Sequence, residues 1–158
     1  MQKITPFLWF DHEAEEAAKF YVSVFANSRI LKTVRYSGAG PGPAGSVLTV
    51  AFELNGVQFT ALNGGPQHQF SEAISFVVNC HSQAEVDTVW EKLSAGGRTD
   101  RCGWLKDRFG LSWQVVPTVL PALLGDPDPV RAQRTMQAML KMDKLDIAAL
   151  ERAHAGGA

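Results

Sequence analysis

The sequence contains nearly the same pattern twice, and this internal duplication constrains the fold more than any single motif. An apolar strand at 7–10 and a helical run at 14–25 are matched, 69 positions later, by a strand at 74–78 and a helical run at 84–93. The strands that close the two units correspond at an offset of 54. Because repeats set the architecture of a chain, we predict an α+β fold of two pseudo-symmetric βαβββ modules, with paired sheets and a cavity between them.

The matched positions define the expected equivalences. At the offset of 69, the pairs are Phe7 with Phe76, Trp9 with Val78, His12 with His81, Tyr21 with Trp90 and Val24 with Leu93. We place the first module at 1–63, a linker at 64–72, the second module at 73–120 and a C-terminal helical tail at 121–158, all within one compact domain. Asp128-Pro129 and Asp146 are predicted helix starts in the tail.

Composition excludes several classes of partner. With 46% hydrophobic residues, 20% charged residues and a net charge of -1, the chain is typical of a soluble globular protein without a nucleic-acid or membrane partner. No apolar run approaches the roughly 20 residues of a membrane span. No secretory signal is visible, so we expect a cytoplasmic protein in which Cys80 and Cys102 are free thiols.

The loop at 37–45 is rich in glycine and proline, and its role is left open. It superficially resembles a dinucleotide-binding fingerprint, but two prolines interrupt it and a strand follows instead of a helix. A flexible hairpin loop or a mobile lid is the more economical interpretation. The four histidines have no spacing typical of a metal site; His12 and His81 at the strand-to-helix junctions fit capping or exposed positions better than catalysis.

Alternation in the strands predicts which residues line the cavity. Large apolar side chains such as Phe59 and Trp113 should pack on the helices, and the opposite parity should face the space between the sheets. The predicted ligand-binding residues are Leu8, Thr60, Leu62, Ser75, Val77, Ser112 and Gln114. The alternative is that the polar members simply face water, as one side of an antiparallel sheet often does. Gln114 is the best candidate to orient a ligand, although it could instead bond only a neighbouring side chain.

Taken together, two such units and the segments FLWFDHEAEEAAKFYVSVF, GLSWQVVPTVLPALL and DPDPVRAQRTMQAMLKMDKLDIAAL resemble the PhnB-like branch of the vicinal oxygen chelate superfamily. This superfamily includes glyoxalase I, bleomycin-resistance proteins and extradiol dioxygenases. The resemblance covers essentially the whole chain. It implies sheets curled into a glyoxalase-like half-barrel, and a homodimer.

The same resemblance implies where a metal would be held in metal-using relatives, whose ligands come from the first and last strands of each unit. Those positions fall on Gln114, Thr60, Pro6 and Ala73 or Ser75. None of these residues is a His, Asp, Glu or Cys, so we predict no tight transition-metal site and no cofactor. A divalent metal is the alternative.

Function is therefore less determined than fold, and whether the chain is an enzyme stays open. The first hypothesis is a protein that binds an unidentified small molecule in the cavity between the sheets. The alternative is a metal-dependent lyase, isomerase or dioxygenase of the same superfamily. A methyltransferase, the label often attached to this branch, is the least favoured, because the sequence has no strand-loop-helix glycine motif for a methyl donor.

Overall fold

The computed structural model describes residues 2–157 and divides the chain into two compact units, Met1–Phe70 and Ser71–Ala158. The boundary falls inside the predicted linker 64–72, and the predicted tail belongs to the second unit. Among the described residues, no helix combines the length and apolar character that a membrane span requires.

The first unit is a four-stranded mixed sheet with one helix. Its elements in chain order are β1 (Phe7–Phe10), α1 (Ala14–Val24), β2 (Arg29–Arg35), β3 (Val47–Leu54) and β4 (Val57–Asn63). The strand order is β1-β4-β3-β2, in which β1 and β4 run parallel and the other pairs antiparallel.

The second unit repeats this topology. It contains β5 (Phe76–Cys80), α2 (Gln83–Ser94), β6 (Arg98–Thr99), β7 (Trp104–Lys106) and β8 (Ser112–Pro117). The strand order is β5-β8-β7-β6, again with a parallel first pair. The two βαβββ modules of the α+β fold are thus present as predicted.

Three helices follow β8, namely α3 (Leu120–Leu124), α4 (Pro129–Met139) and α5 (Ile147–Ala155). The Asp128 carboxylate caps α4 and the Asp146 carboxylate caps α5, as the sequence predicts. A small core of Leu120, Leu145 and Leu150 holds the three helices together.

The two central helices begin differently. Ser82 caps α2 by accepting from the backbone N–H of Glu85, and the Glu85 carboxylate accepts from the N–H of His81. The two hydrogen bonds satisfy backbone N–H groups on both sides of Ser82 and so stabilise the start of α2. Neither Asp11 nor His12 caps α1, because Asn63 on β4 supplies the oxygen that accepts from the N–H of Ala14, at 2.8 Å.

The offset between the two units is not constant along the chain. The helices begin 69 positions apart, at Ala14 and Gln83. Their buried positions correspond best at 72, since Ala14, Ala17 and Tyr21 match the burial of Val86, Val89 and Leu93. Tyr21 is fully buried whereas Trp90 is only partly buried, so these two residues do not have the same environment.

Candidate functional site

The face of the second sheet that carries Gln114 brings together four of the predicted ligand-binding residues. Gln114 lies opposite Val77 on β5 and Trp104 on β7, and Lys106 lies opposite Ser112. Directly opposed residues of neighbouring strands project to the same side of a sheet. This surface, called here the Gln114 face, consists of Ser75, Val77, Trp104, Lys106, Ser112 and Gln114.

A hydrogen bond fixes the amide at the centre of the Gln114 face. The Nε2 of Gln114 donates to the hydroxyl of Ser75 at 3.0 Å. Both side chains are half-buried, whereas neighbouring Val77 is half-exposed. The arrangement places a fixed polar group beside apolar Val77 and Trp104, the composition expected of a small-molecule site.

The opposite face of this sheet packs against α2, as predicted, and a buried carboxylate anchors it. Trp113 is 3% exposed, and its indole Nε1 donates to Asp107 at 2.9 Å. Asp107 is itself 2% exposed and also accepts from the backbone N–H groups of Phe109 and Leu111. Asp107 therefore locks the β7–β8 hairpin and fixes which residues of β8 reach the Gln114 face. Sequence reasoning missed this residue.

In the first unit, the predicted face is only partly correct. Thr60 and Leu62 share one face with Phe7 and Trp9, their partners on β1. Phe59 packs on the other side, where its ring stacks on Phe52 at a centroid distance of 5.4 Å. The large residues of both closing strands thus lie on the predicted side.

The prediction that Leu8 shares a face with Thr60 and Leu62 is wrong. Leu8 lies opposite Ala61 and is 5% exposed, so it projects to the buried side. The cause is the register. Phe7 pairs with Thr60 as Val77 pairs with Gln114, which makes the offset between the first strands 70 instead of 69. A shift of one residue moves each side chain of a strand to the other face.

Ser112 occupies an unusual position on the Gln114 face. It is 1% exposed, and its hydroxyl oxygen has no hydrogen-bond partner in the described structure. It borders a small cavity of about 20 Å³. The cavity is lined by Glu72, Arg98, Asp100, Trp104, Leu105, Lys106 and Ser112.

Charged groups meet at this small cavity. Glu72 Oε1 lies 2.5 Å from Lys106 Nζ and 3.4 Å from Arg98 Nη2. The hydrogen bond from Lys106, together with a local backbone bond and the Lys106 charge, lowers the pKa of the Glu72 carboxyl below its ordinary value. Glu72 is therefore an ionised carboxylate that forms ion pairs with two cationic side chains.

At the positions where metal-using members of the superfamily hold their metal, this chain has residues that do not suit a metal ion. An amide, two hydroxyls and a proline offer none of the imidazole, thiolate or carboxylate donors that transition ions prefer. Among residues 2–157, no cluster of three His, Cys, Asp or Glu side chains is placed to hold a metal ion.

A larger cavity of about 510 Å³ lies within the first unit, beside the loop 37–45. Its lining includes Tyr36, Asn63 and the start of α1, and the Tyr36 hydroxyl donates to the carbonyl of Asn63 at 2.7 Å. A Cβ atom on Gly42 would lie 2.2 Å from the Tyr36 ring, so the loop packs closely on this tyrosine. Sequence reasoning did not identify this cavity, and a lid role for the loop stays a prediction.

The cysteines and histidines do not form a reactive cluster. Cys80 and Cys102 are both free, as predicted. Burial, followed by the nearby Glu85 charge, raises the pKa of the Cys80 thiol to about 11, so it is protonated and unreactive at neutral pH. His154 pairs with Asp126 at 2.8 Å, while His12 is largely exposed.

The chain is similar to proteins of one known family. A family model described as 3-demethylubiquinone-9 3-methyltransferase matches residues 2–116. A putative 3-demethylubiquinone-9 3-methyltransferase, a PhnB protein from Bacillus cereus, is 39% identical with a TM-score of 0.68; the match covers 74% of this chain and 100% of that chain. No curated protein matches. The family match ends before the helical tail, so the resemblance of the tail stays a prediction.

More distant structures share the fold alone. A Pseudomonas aeruginosa protein is 21% identical with a TM-score of 0.61, over 74% of this chain and 98% of that one. The fosfomycin resistance protein FosX from Mesorhizobium loti is 13% identical with a TM-score of 0.52, over 73% and 92%.

Proposed function

Because this chain belongs to the 3-demethylubiquinone-9 3-methyltransferase family, within the PhnB-like part of the vicinal oxygen chelate superfamily, we propose that it binds a small organic molecule at the Gln114 face without a tight transition metal. The observation that carries the proposal is the hydrogen bond from Gln114 to Ser75, on a face that also presents Val77 and Trp104. The sequence also predicts that the ligand lies between the two sheets, and this location stays a prediction.

The Gln114 amide is suited to orienting such a ligand. Ser75 uses one of its two N–H groups, and this contact holds the side chain in one conformation. The remaining N–H and the carbonyl oxygen offer a donor and an acceptor. A polar group that is already fixed loses little conformational entropy on binding, which favours affinity and a defined ligand orientation.

The family description includes methyl transfer, and this activity ranks below binding in our proposal. A methyltransferase must hold a methyl-donor cofactor, and the glycine-rich strand-to-helix turn typical of one class of nucleotide sites is not in the sequence. The only glycine-rich segment, 37–45, leads into β3. S-adenosylmethionine is therefore the decisive probe for this alternative.

The test begins with ligand identification. Protein purified without a chelating tag is analysed by native mass spectrometry for a co-purified molecule and by elemental analysis for metal. The captured molecule is then titrated into the Gln114→Leu and Gln137→Leu variants. Gln137 is an exposed glutamine on α4 and serves as the matched control.

We expect Gln114→Leu to weaken binding at least about tenfold, the loss of roughly one to two hydrogen bonds, with little change in thermal midpoint. Gln137→Leu should bind as the wild type does. Equal binding by both variants would show that the Gln114 face is not the site. Stoichiometric metal that is needed for ligand turnover would favour the metal-dependent enzyme, and saturable binding of S-adenosylmethionine would favour the methyltransferase.

A further inference from the structure

The buried hydroxyl of Ser112 is an unmet hydrogen-bonding group within the Gln114 face. Buried polar atoms are nearly always bonded, so an exception requires an explanation. Its Oγ is inaccessible and has no partner among the described residues. The adjoining cavity of about 20 Å³ can hold one water-sized atom. Ser112 therefore has a hydrogen bond available to a polar atom that enters there.

Two cations border the same cavity. Lys106 lies directly across from Ser112 on the neighbouring strand, and Arg98 stands on β6 beside it. Two acidic residues also border it. Asp100 accepts from the N–H of Arg101, and Glu72 is held by Lys106 and Arg98. A hydroxyl donor next to a lysine and an arginine is a combination that recognises an oxyanion.

Glu72 differs from the other groups in how it is held. Its side chain is 55% exposed and lies in the segment before β5, outside the sheet, whereas Lys106 and Ser112 are fixed on paired strands. Exposed ion pairs contribute little stability, so Glu72 can be displaced at small cost. The carboxylate of Glu72 thus shows which chemical group the two cations accept.

We infer that Lys106, Arg98 and Ser112 form a carboxylate-binding subsite of the Gln114 face, and that Glu72 occupies it as a built-in competitor in the ligand-free protein. This inference rests on the proposed function and names the ligand class, an organic acid. When the ligand carboxylate enters, Glu72 moves into water, Lys106 and Arg98 bond the new carboxylate, and Ser112 donates to one of its oxygens.

The experiment uses acetate as the probe, because it presents the carboxylate alone. Acetate is titrated into isotope-labelled full-length protein at constant ionic strength, with chloride as the balancing anion, and the backbone amides of Lys106 and Ser112 are followed by NMR. Glu72→Gln is compared with Glu91→Gln, which removes the same charge from an exposed position on α2. Inorganic phosphate is titrated in parallel.

Glu72→Gln should bind acetate about two- to fivefold more tightly than the wild type, the range expected on removing an exposed ion-pair partner, and Glu91→Gln should not. Ser112→Ala should weaken binding about threefold or more without lowering the thermal midpoint, since the lost hydroxyl has no partner in the free protein. Lys106→Met should abolish the shifts.

Three results would overturn the inference: equal acetate affinity of Glu72→Gln and the wild type, shifts confined to lysines away from β7, or phosphate binding without acetate binding. The outcome is separate from that of the proposed function. If Gln114→Leu keeps the captured ligand while Glu72→Gln still tightens acetate binding, the proposed function fails and the subsite stands.

Discussion

At the scale of single residues, two buried polar groups differ in their hydrogen bonding: Asp107, directly after β7, and Ser112, the first residue of β8. Asp107 is 2% exposed and accepts from Phe109, Leu111 and Trp113, so both of its side-chain oxygens are hydrogen-bonded. Ser112 is 1% exposed and its hydroxyl has no partner. The first arrangement stabilises the β7–β8 hairpin, and the second leaves a hydroxyl group that can make a further hydrogen bond.

We expect Asp107→Asn to lower the free energy of unfolding by about 2–4 kcal/mol, because an amide cannot accept all three hydrogen bonds and turns a donor toward another donor. Asp128→Asn is the control, since Asp128 is an exposed helix cap and asparagine caps a helix equally well. Urea denaturation followed by fluorescence measures both. A change below about 0.5 kcal/mol in Asp107→Asn, the range of an ordinary surface substitution, would contradict this role.

At the scale of elements, the sequence predicts the closing strands better than the opening ones. Asn55 and Gly56 both have positive φ, 47° and 86°, and Gly110 has φ of 91°, so each closing strand starts from a defined turn that sets its parity. Strands β1 and β5 have no such turn next to them. Their parity is predicted only from the match between the two units, and the matching offset of 69 is one residue short of the observed 70, which places Leu8 on the wrong face.

The sequence also does not predict the roles of Asp107 and Asn63. The role of Asn63 depends on the N–H of Ala14, which lies 49 positions away in the chain, so local pattern does not reveal it. The donors to Asp107 are near neighbours in the sequence, and local pattern does not reveal that its carboxylate is buried. The three helix caps at Ser82, Asp128 and Asp146 were predictable because donor and acceptor lie within a few residues of each other. The sequence therefore predicts the hydrogen bonds that cap helices between near neighbours, and it does not predict long-range hydrogen bonds.

Gln83 joins the helical tail to α2, which gives a prediction at this scale. Its Nε2 donates to the carbonyl of Leu145 at 3.1 Å, and its Oε1 accepts from the N–H of Ile147 at 2.8 Å. We expect Gln83→Ala to cost about 1–3 kcal/mol, the loss of these two hydrogen bonds and of a third to Asp87, and to speed hydrogen exchange in α5. Gln133→Ala, at an exposed position on α4, is the control. Unchanged exchange at Ile147 would disprove the attachment.

At the scale of the whole molecule, the two units share a topology but differ in what they carry. The first has the loop 37–45 and the larger cavity, and the second has the helical tail and the Gln114 face. Three carboxyls with a lowered pKa, those of Glu72, Asp87 and Asp126, lie in the second unit. Acid is therefore expected to affect the two units differently.

The sign of the acid effect follows from the lowered pKa values. Hydrogen bonds from Gln83 and then Lys144 lower the pKa of Asp87, and the N–H of Asp128 followed by His154 lowers the pKa of Asp126. The contribution of these carboxylates to the free energy of unfolding is fully present above the ordinary carboxyl pKa of about 4. It is lost as the pH falls through the lowered pKa values of the folded protein. Amide signals of Val115 should therefore be lost at higher pH than those of Ala61. The reverse order would refute the prediction.

A homodimer stays a prediction for the whole chain, and exposed apolar residues support it. Val130, Met136 and Leu140, on α4 and its C-terminal cap, are 56%, 40% and 55% exposed. A symmetric copy is an economical way to cover such a surface. Light scattering at micromolar concentration should give twice the 17.2 kDa chain mass, and Met136→Lys should lower it. A wild-type mass of one chain would end this prediction.

The position of Trp104 has a practical consequence. Its indole is half-buried, lies across from Gln114 and borders the cavity next to Ser112, whereas Trp113 is held by Asp107 on the far side of the sheet. If a molecule binds at Gln114 as proposed, the solvent around the Trp104 indole changes, whereas the buried Trp113, one of the three other tryptophans, keeps its surroundings. The fluorescence of Trp104 can therefore report binding, and a library of organic acids can be screened by intrinsic tryptophan fluorescence before any natural ligand has been identified.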